Sequence, residues 1–245
     1  MESRNLNPRA VLFDVYSTLL LVGPPPADAE IRWQKLWTAA LPQPPRWSRL
    51  EFSAACSQVI AQRHAEARSR GITWPEIQWP SVVGELIPEL RHLSEADREE
   101  FIYAHIQTGR TLRLDPTAAA TLQWLARRGI TLGIASNSQA YTLRELESEL
   151  ARHALSLEIF QPDLCFWSFQ HGFSKPDPHV FQVLAARLEA RGIAPAEVMM
   201  VGDRSDNDIQ PAQCFGWQTW HLTASDAPNG GPWASLLTRL QSGHL

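Results

Sequence analysis

The sequence predicts an α/β chain: a doubly wound parallel sheet of the Rossmann-like kind, with an all-helical segment inserted after its first strand. Three observations lead there. Short apolar runs alternate with helical patterns in the C-terminal half, as in a parallel sheet covered by helices on both faces. Residues 28–108 keep a helical period and show no convincing strand. A length of 245 residues suffices for one full α/β core and a smaller accessory unit.

The elements follow in order. Ala10–Phe13 is an apolar run ending at Asp14, as expected of a strand buried on both faces. Gly23-Pro24-Pro25-Pro26 then punctuates the chain, because three prolines continue neither a strand nor a helix. Ile31, Leu36 and Trp37, then Cys56, Val59 and Ile60, then Leu86 and Leu90 recur at helical steps, and Ser94-Glu95-Ala96-Asp97 opens a further helix with an N-cap and early acids. After Asp115-Pro116 a helix over 117–128 ends at Gly129, a strand covers 130–135, and a helix runs from about Gln139 to His153. A short strand over 163–166 precedes a helix from Pro178 to Arg191 closed by Gly192, with proline at its start and glycine past its end. Residues 198–202 form a strand, a helix follows from Asp208, and 217–222 is read as the last strand.

Composition narrows the function classes. A formal net charge of −4 with no basic stripe argues against nucleic acid as a partner. The three cysteines, Cys56, Cys165 and Cys214, lie far apart and read as reduced thiols rather than a disulfide framework. No apolar run approaches the ~20 residues of a membrane helix, and Met1-Glu2-Ser3-Arg4-Asn5 lacks a signal-peptide layout. The expectation is a cytoplasmic protein acting on a small molecule, without a membrane partner.

Four segments carry the chemistry. Asp14 ends the first strand, where ligands of open α/β sheets bind, and a carboxylate there can be a nucleophile or a loop cap. Ser136-Asn137 ends the second core strand, and its hydroxyl with adjacent N–H groups can hold an anionic oxygen or cap the next helix. Lys175 stands in Ser174-Lys175-Pro176-Asp177-Pro178, where flanking prolines stiffen the backbone around an ammonium that can steady an anion. Asp203 and Asp208 flank Arg204-Ser205-Asp206-Asn207, which reads either as an Mg²⁺ site, since that cation favours a few carboxylates plus water and substrate oxygens, or as a solvated acidic turn.

Together, in this order and spacing, the segments resemble the haloacid dehalogenase (HAD) superfamily of aspartate-nucleophile hydrolases. The resemblance implies a HAD-like core over residues 1–22 and 109–245 and a helical cap domain over 23–108. It implies catalytic roles for Asp14, Ser136 and Lys175, and substrate binding by Tyr16, Ser136, Asn137 and Lys175. It further implies Mg²⁺ ligation by Asp14, the Tyr16 backbone carbonyl and Asp203, with Asp208 tuning the coordination. The Asp14 strand is then expected at the sheet centre, between the strands of Ser136 and Asp203.

Tyr16 departs from the phosphatase pattern, which carries a second aspartate two residues after the nucleophile to protonate the leaving alkoxide and assist water. Asp14-Val15-Tyr16-Ser17-Thr18 is similar instead to the dehalogenases proper, with Ser17 in place of their glycine. Halide leaves without a proton, and those enzymes need no metal. The last motif, Gly202-Asp203-Arg204, is phosphatase-like. Three acidic groups against Lys175 favour a cation, because like charges at close range raise one another's pKa. The reading is therefore Mg²⁺-dependent hydrolysis of a small phosphate ester; the alternatives are a metal-independent 2-haloacid dehalogenase and a non-catalytic HAD-fold protein that binds a phosphorylated ligand or a partner. Trp33, Trp37, Trp47, Trp74 and Trp79 read mostly as packing of the insert.

Overall fold

The computed structural model describes residues 7–243; the polar start Met1–Asn5, read above for a targeting signal, lies outside them. Strand β1 (Ala10–Phe13) is buried at every position and stops at Asp14. The chain leaves along β2 (Leu20–Gly23), passes through α1 (Ala29–Ala40), α2 (Arg49–Ser69), α3 (Trp79–Leu86) and α4 (Glu95–Gly109), and returns along β3 (Thr111–Leu114). There follow α5 (Pro116–Arg127), β4 (Thr131–Ser136), α6 (Tyr141–Ala151), β5 (Cys165–Trp167), α7 (Ser168–His171) and α8 (Pro178–Ala190). The chain ends with β6 (Val198–Gly202), α9 (Gln210–Cys214), β7 (Gln218–Leu222), β8 (Gly230–Gly231) and α10 (Trp233–Ser242).

The sheet has the order β5-β4-β1-β6-β7-β8, and its neighbouring strands run parallel. This is the doubly wound α/β architecture that the alternating pattern predicts. β1 is central: Ala10–Phe13 pair with Thr131–Ile134 on one side and Val198–Val201 on the other. The connection order reverses there, which makes the carboxyl end of β1 the switch point where such sheets bind ligands. Alternate residues of β1 serve opposite faces. Ala10 and Leu12 join Val198, Met200 and the α8 residues Val180, Phe181, Leu184 and Leu188 in one core cluster. Phe13 meets Phe160 and Trp233 at ring-centroid distances of 6.4 and 6.1 Å. Gly133 in β4 is required by packing, since a Cβ there would stand 2.5 Å from both Leu12 Cδ2 and the Leu164 carbonyl.

By its contacts the chain divides into one unit up to Leu21 and from Arg113 onward, and a second unit, Val22–Leu112. In the second unit the indole of Trp33 stacks on Phe52 at 5.0 Å and meets Trp37 edge-on at 5.4 Å. His105 of α4 packs among Trp33, Phe52 and Trp79, and burial, followed by the nearby Arg49 charge, lowers its pKa to about 4. Tryptophans 33, 37, 47 and 79 thus pack as expected, whereas Trp74 is exposed.

The structure corrects several sequence expectations. β2 and β3 form a two-stranded ribbon that residue pattern alone does not reveal. The strand expected over 163–166 begins only at Cys165, because Pro162 opens a 3₁₀ turn over Pro162–Leu164. The helix expected from Asp208 begins at Gln210, after a wider π turn over Ser205–Ile209. The strand at 217–222 is not the last, since β8 pairs beyond it through Gly230 and Gly231. Among the described residues no helix is long and apolar enough to cross a membrane, and Cys56, Cys165 and Cys214 are free.

Candidate active site

Asp14 is held at the end of β1 by its backbone N–H, which donates to the Val201 carbonyl at 3.0 Å and so extends the ladder by one residue. The loop after it turns sharply. Ser17 adopts φ = 61°, a left-handed conformation that costs a residue with a Cβ about 1–2 kcal/mol. Its N–H donates to the Leu20 carbonyl at 2.7 Å, and the Leu20 N–H donates to Val15 at 2.8 Å, so the turn is fixed from both sides. Ser17→Gly relieves this strain and is expected to raise Tm by about 2–4 °C, the shift that ~1 kcal/mol produces in a chain of this size. A thermal melt checks it, and an unchanged or lower Tm would show that the turn carries no strain.

Lys175 is the electrostatic centre. Its side chain is fully buried, and Nζ donates to Asp14 Oδ1 at 2.8 Å and to Asp208 Oδ1 at 2.5 Å. Asn137 clamps the Lys175 backbone: the Lys175 N–H donates to Asn137 Oδ1 at 2.7 Å, and Asn137 Nδ2 donates to the Lys175 carbonyl at 2.8 Å. The side-chain amide of Asn137, a substrate-binding candidate, thus faces Lys175. Ser136 ends β4, and its Oγ is buried without a hydrogen-bond partner. The following loop is pinned by a reciprocal pair: the Ser138 N–H donates to Ser168 Oγ at 2.8 Å, and that hydroxyl donates to the Ser138 carbonyl at 3.2 Å.

On the other side, Asp208 is buried and accepts the Arg204 N–H on Oδ2 at 3.1 Å, which closes the π turn on itself. Gly202 makes this possible, because a Cβ there would collide with that carboxylate. Asp203 is half-buried, and its backbone carbonyl accepts the Nε2–H of His221 at 2.8 Å. Asp206 is exposed and paired with Arg204 at 2.7 Å, an ordinary surface ion pair.

One carboxylate oxygen each from Asp14, Asp203 and Asp208 lies within 4.8 Å of the others. Burial drives Asp14 up to about 6; the Lys175 ammonium pulls it down, and Asp208 and Asp203 push it up again. Burial, then Asp208, likewise raises Asp203. Burial works against the Lys175 charge, yet Asp14 and Asp208 outweigh it and raise its pKa. Tightly grouped oxygens, a carboxyl pushed above its usual range and a glycine that lets the third acid in together suit a hard divalent cation.

Tyr16 is part-buried and engaged. Its hydroxyl lies 2.7 Å from Thr142 Oγ1 and donates to Glu145 Oε2 at 2.5 Å, both on α6. Sequence reasoning missed Thr142, Glu145 and His221. Of these Glu145 had a legible signal, a carboxyl on the apolar stripe of an amphipathic helix.

A family model for haloacid dehalogenase-like hydrolases matches residues 8–216. The chain belongs to this family. A phosphoserine phosphatase of Thermus thermophilus is 33% identical over 119 residues, 48% of this chain. The match spans less than half of that relative's length, 43%. Among solved structures, a 2-haloacid dehalogenase from Pseudomonas syringae pv. Tomato DC3000 matches with a TM-score of 0.59 at 20% identity, over 96% of this chain and 99% of the other. A HAD-family enzyme from Bacteroides thetaiotaomicron, an Asp-to-Ala mutant in complex with magnesium and inorganic phosphate, matches with a TM-score of 0.54 at 16% identity, over 90% and 96%. At these identities the structural likeness establishes the fold.

Proposed function

We propose that the protein hydrolyses a small phosphate ester with Mg²⁺ as cofactor and Asp14 as nucleophile, the helical segment serving as its cap. The observation that carries this reading is the convergence of three carboxylates with one buried lysine at the switch point of the sheet. Metal-independent displacement of halide has no use for the two extra acids, which would repel an anionic substrate. The phosphoserine phosphatase relative and the magnesium and phosphate complex of the Bacteroides enzyme support the same side.

Asp14, Asp203, Asp208 and the Tyr16 carbonyl are the groups that would hold the cation. When bound, it would offset the negative charge of the phosphoryl oxygens and of the carboxylates around them. Asp14 attacks phosphorus, and its oxygen forms the new bond as the ester oxygen departs. Ser136 Oγ donates its unused hydrogen to a phosphoryl oxygen, and the Lys175 ammonium steadies the charge that develops there. Water then attacks the phospho-Asp14 intermediate and regenerates the carboxylate.

The test is phosphate release from p-nitrophenyl phosphate with Mg²⁺, alongside halide release from 2-chloropropionate. Chelator-sensitive phosphate release is the expected result; halide release that persists in chelator, with no phosphate release, would replace this reading by the dehalogenase one, which Tyr16 favours.

The raised Asp14 pKa also sets a pH dependence. In the cation-free protein Asp14 keeps, up to about 6, a proton that the unfolded chain has lost above its ordinary 3.8. Its contribution to stability is therefore complete below the lower value and disappears as pH rises through the upper one. A cation must displace that proton, so added Mg²⁺ is expected to raise Tm more at about pH 7.5 than at about pH 5. Equal shifts at the two pH values would contradict the proposed ligand set.

A further inference from the structure

The registered pairs of β6 end at Val201 on the β1 side and at Gly202 on the β7 side, so Asp203 lies just past the sheet. Its backbone needs another anchor, and two hydrogen bonds to one peptide unit supply it. The Asp203 carbonyl accepts from His221 Nε2 at 2.8 Å, and the N–H of Arg204, the other polar end of the same peptide, donates to Asp208 Oδ2 at 3.1 Å. A carbonyl oxygen only accepts, so the imidazole carries a hydrogen on Nε2. Because the peptide unit is planar, holding both ends restricts rotation about ψ of Asp203 and so fixes where its side chain starts. Asp208 is itself tied to Lys175, which leaves His221 as the anchor from outside the cluster of acids.

His221 is well placed to do this. In the parallel register of β6 and β7 it is the partner of Gly202, so the imidazole starts level with the last residue of β6 and reaches the carbonyl one residue beyond. On its other side it pairs with Gly230 of β8, and its N–H donates to the Asn229 carbonyl at 3.0 Å. A Cβ on Gly230 would stand 2.6 Å from the His221 carbonyl oxygen and 3.3 Å from its Cβ. The short glycine strand is thus what lets a backbone close against the residue that holds Asp203.

We propose that His221 is a positioning residue for the cation site, its Nε2–H holding the Asp203–Arg204 peptide so that the Asp203 carboxylate is preset for Mg²⁺. The proposal rests on the Mg²⁺ reading above and assigns part of that site's affinity to a residue of the neighbouring strand. It depends on a donor at Nε2 and not on a change of charge, since the imidazolium and the neutral ring protonated at Nε2 donate alike. Without the donor the peptide is free to turn about ψ, and a cation must order it on binding.

Calorimetric titration with Mg²⁺ alone, on the native chain, Asp203→Asn, His221→Leu and His221→Gln, tests the proposal. His221→Leu is expected to raise the Mg²⁺ Kd by about 10-fold, as loss of an outer partner of a metal ligand does. His221→Gln, which keeps an N–H donor on a side chain of similar reach, is expected to restore most of that loss. The Mg²⁺ concentration for half-maximal hydrolysis of p-nitrophenyl phosphate should rise in step in His221→Leu, while the rate at saturating Mg²⁺ falls far less. A role confined to packing would give neither this split nor rescue by glutamine. Native Mg²⁺ affinity in His221→Leu, or a glutamine variant as weak as the leucine one, would overturn the role. Should His221→Leu fail to fold, nitrogen NMR of the native imidazole decides: hydrogen on Nε2 supports the bond, and a bare Nε2 overturns it. Absence of Mg²⁺ binding in the native chain, or native affinity in Asp203→Asn, would instead overturn the ligand set and this inference with it.

Discussion

Asp14→Asn is expected to lower phosphate-ester turnover by at least about 10³-fold while leaving the protein folded and more stable without cation. The two effects have separate causes. Asparagine keeps the shape of the side chain and an oxygen that can accept from Lys175 Nζ, now 2.8 Å away on Asp14 Oδ1. It has no carboxylate to attack phosphorus. It also removes the charge whose burial raises the Asp14 pKa from 3.8 to about 6, a shift equivalent to about 3 kcal/mol at most near neutral pH. Lost turnover with a raised Tm in chelator is therefore the expected signature. Lost turnover with a lowered Tm would make Asp14 a structural residue, and retained turnover would remove it from the chemistry.

The second large effect is on stability. Lys175→Met takes away the cation that lies between Asp14 and Asp208, and two buried carboxylates then face each other without it. Breaking a buried ion pair from one side costs about 3–5 kcal/mol, or a Tm lower by about 10 °C in a chain of this size. Without Lys175 the folded-state pKa of Asp14 rises further, so the loss should be greatest near neutral pH and shrink as acid protonates that carboxyl. Mg²⁺ should compensate in part, since it supplies positive charge to the same oxygens. Thermal melts at two pH values, with and without Mg²⁺, check this. A loss that is the same under all conditions would mean that Lys175 contributes packing alone.

Several parts of this site are legible in the sequence because each lies where a buried pattern stops. β1 and β6 are apolar on both faces, so Asp14 and Asp203 stand out as the first polar residues at their carboxyl ends. Ser136 closes β4 in the same way. Lys175 is marked by the prolines around it, although its full burial between two acids is not. What stayed hidden depends on distant partners. Nothing local in Asn137 shows that its amide clamps the Lys175 backbone. Glu145 bonds to a tyrosine 129 positions earlier, and helical spacing tells only that the position is buried. β2 and β3 are four residues each and pair across the entire insertion. β8 is a pair of glycines, which carry no side-chain pattern at all.

The central claim is that a strand-end carboxylate attacks phosphorus while its acidic neighbours hold a cation. A crystal structure of the protein soaked with Mg²⁺ and beryllium fluoride, a mimic of an acyl phosphate, tests it most directly. The expected result is beryllium bonded to an Asp14 carboxylate oxygen, its fluorides near Ser136 Oγ and Lys175 Nζ, and Mg²⁺ on Asp14, Asp203 and the Tyr16 carbonyl. Beryllium fluoride bound elsewhere, or Mg²⁺ away from these carboxylates, would contradict it.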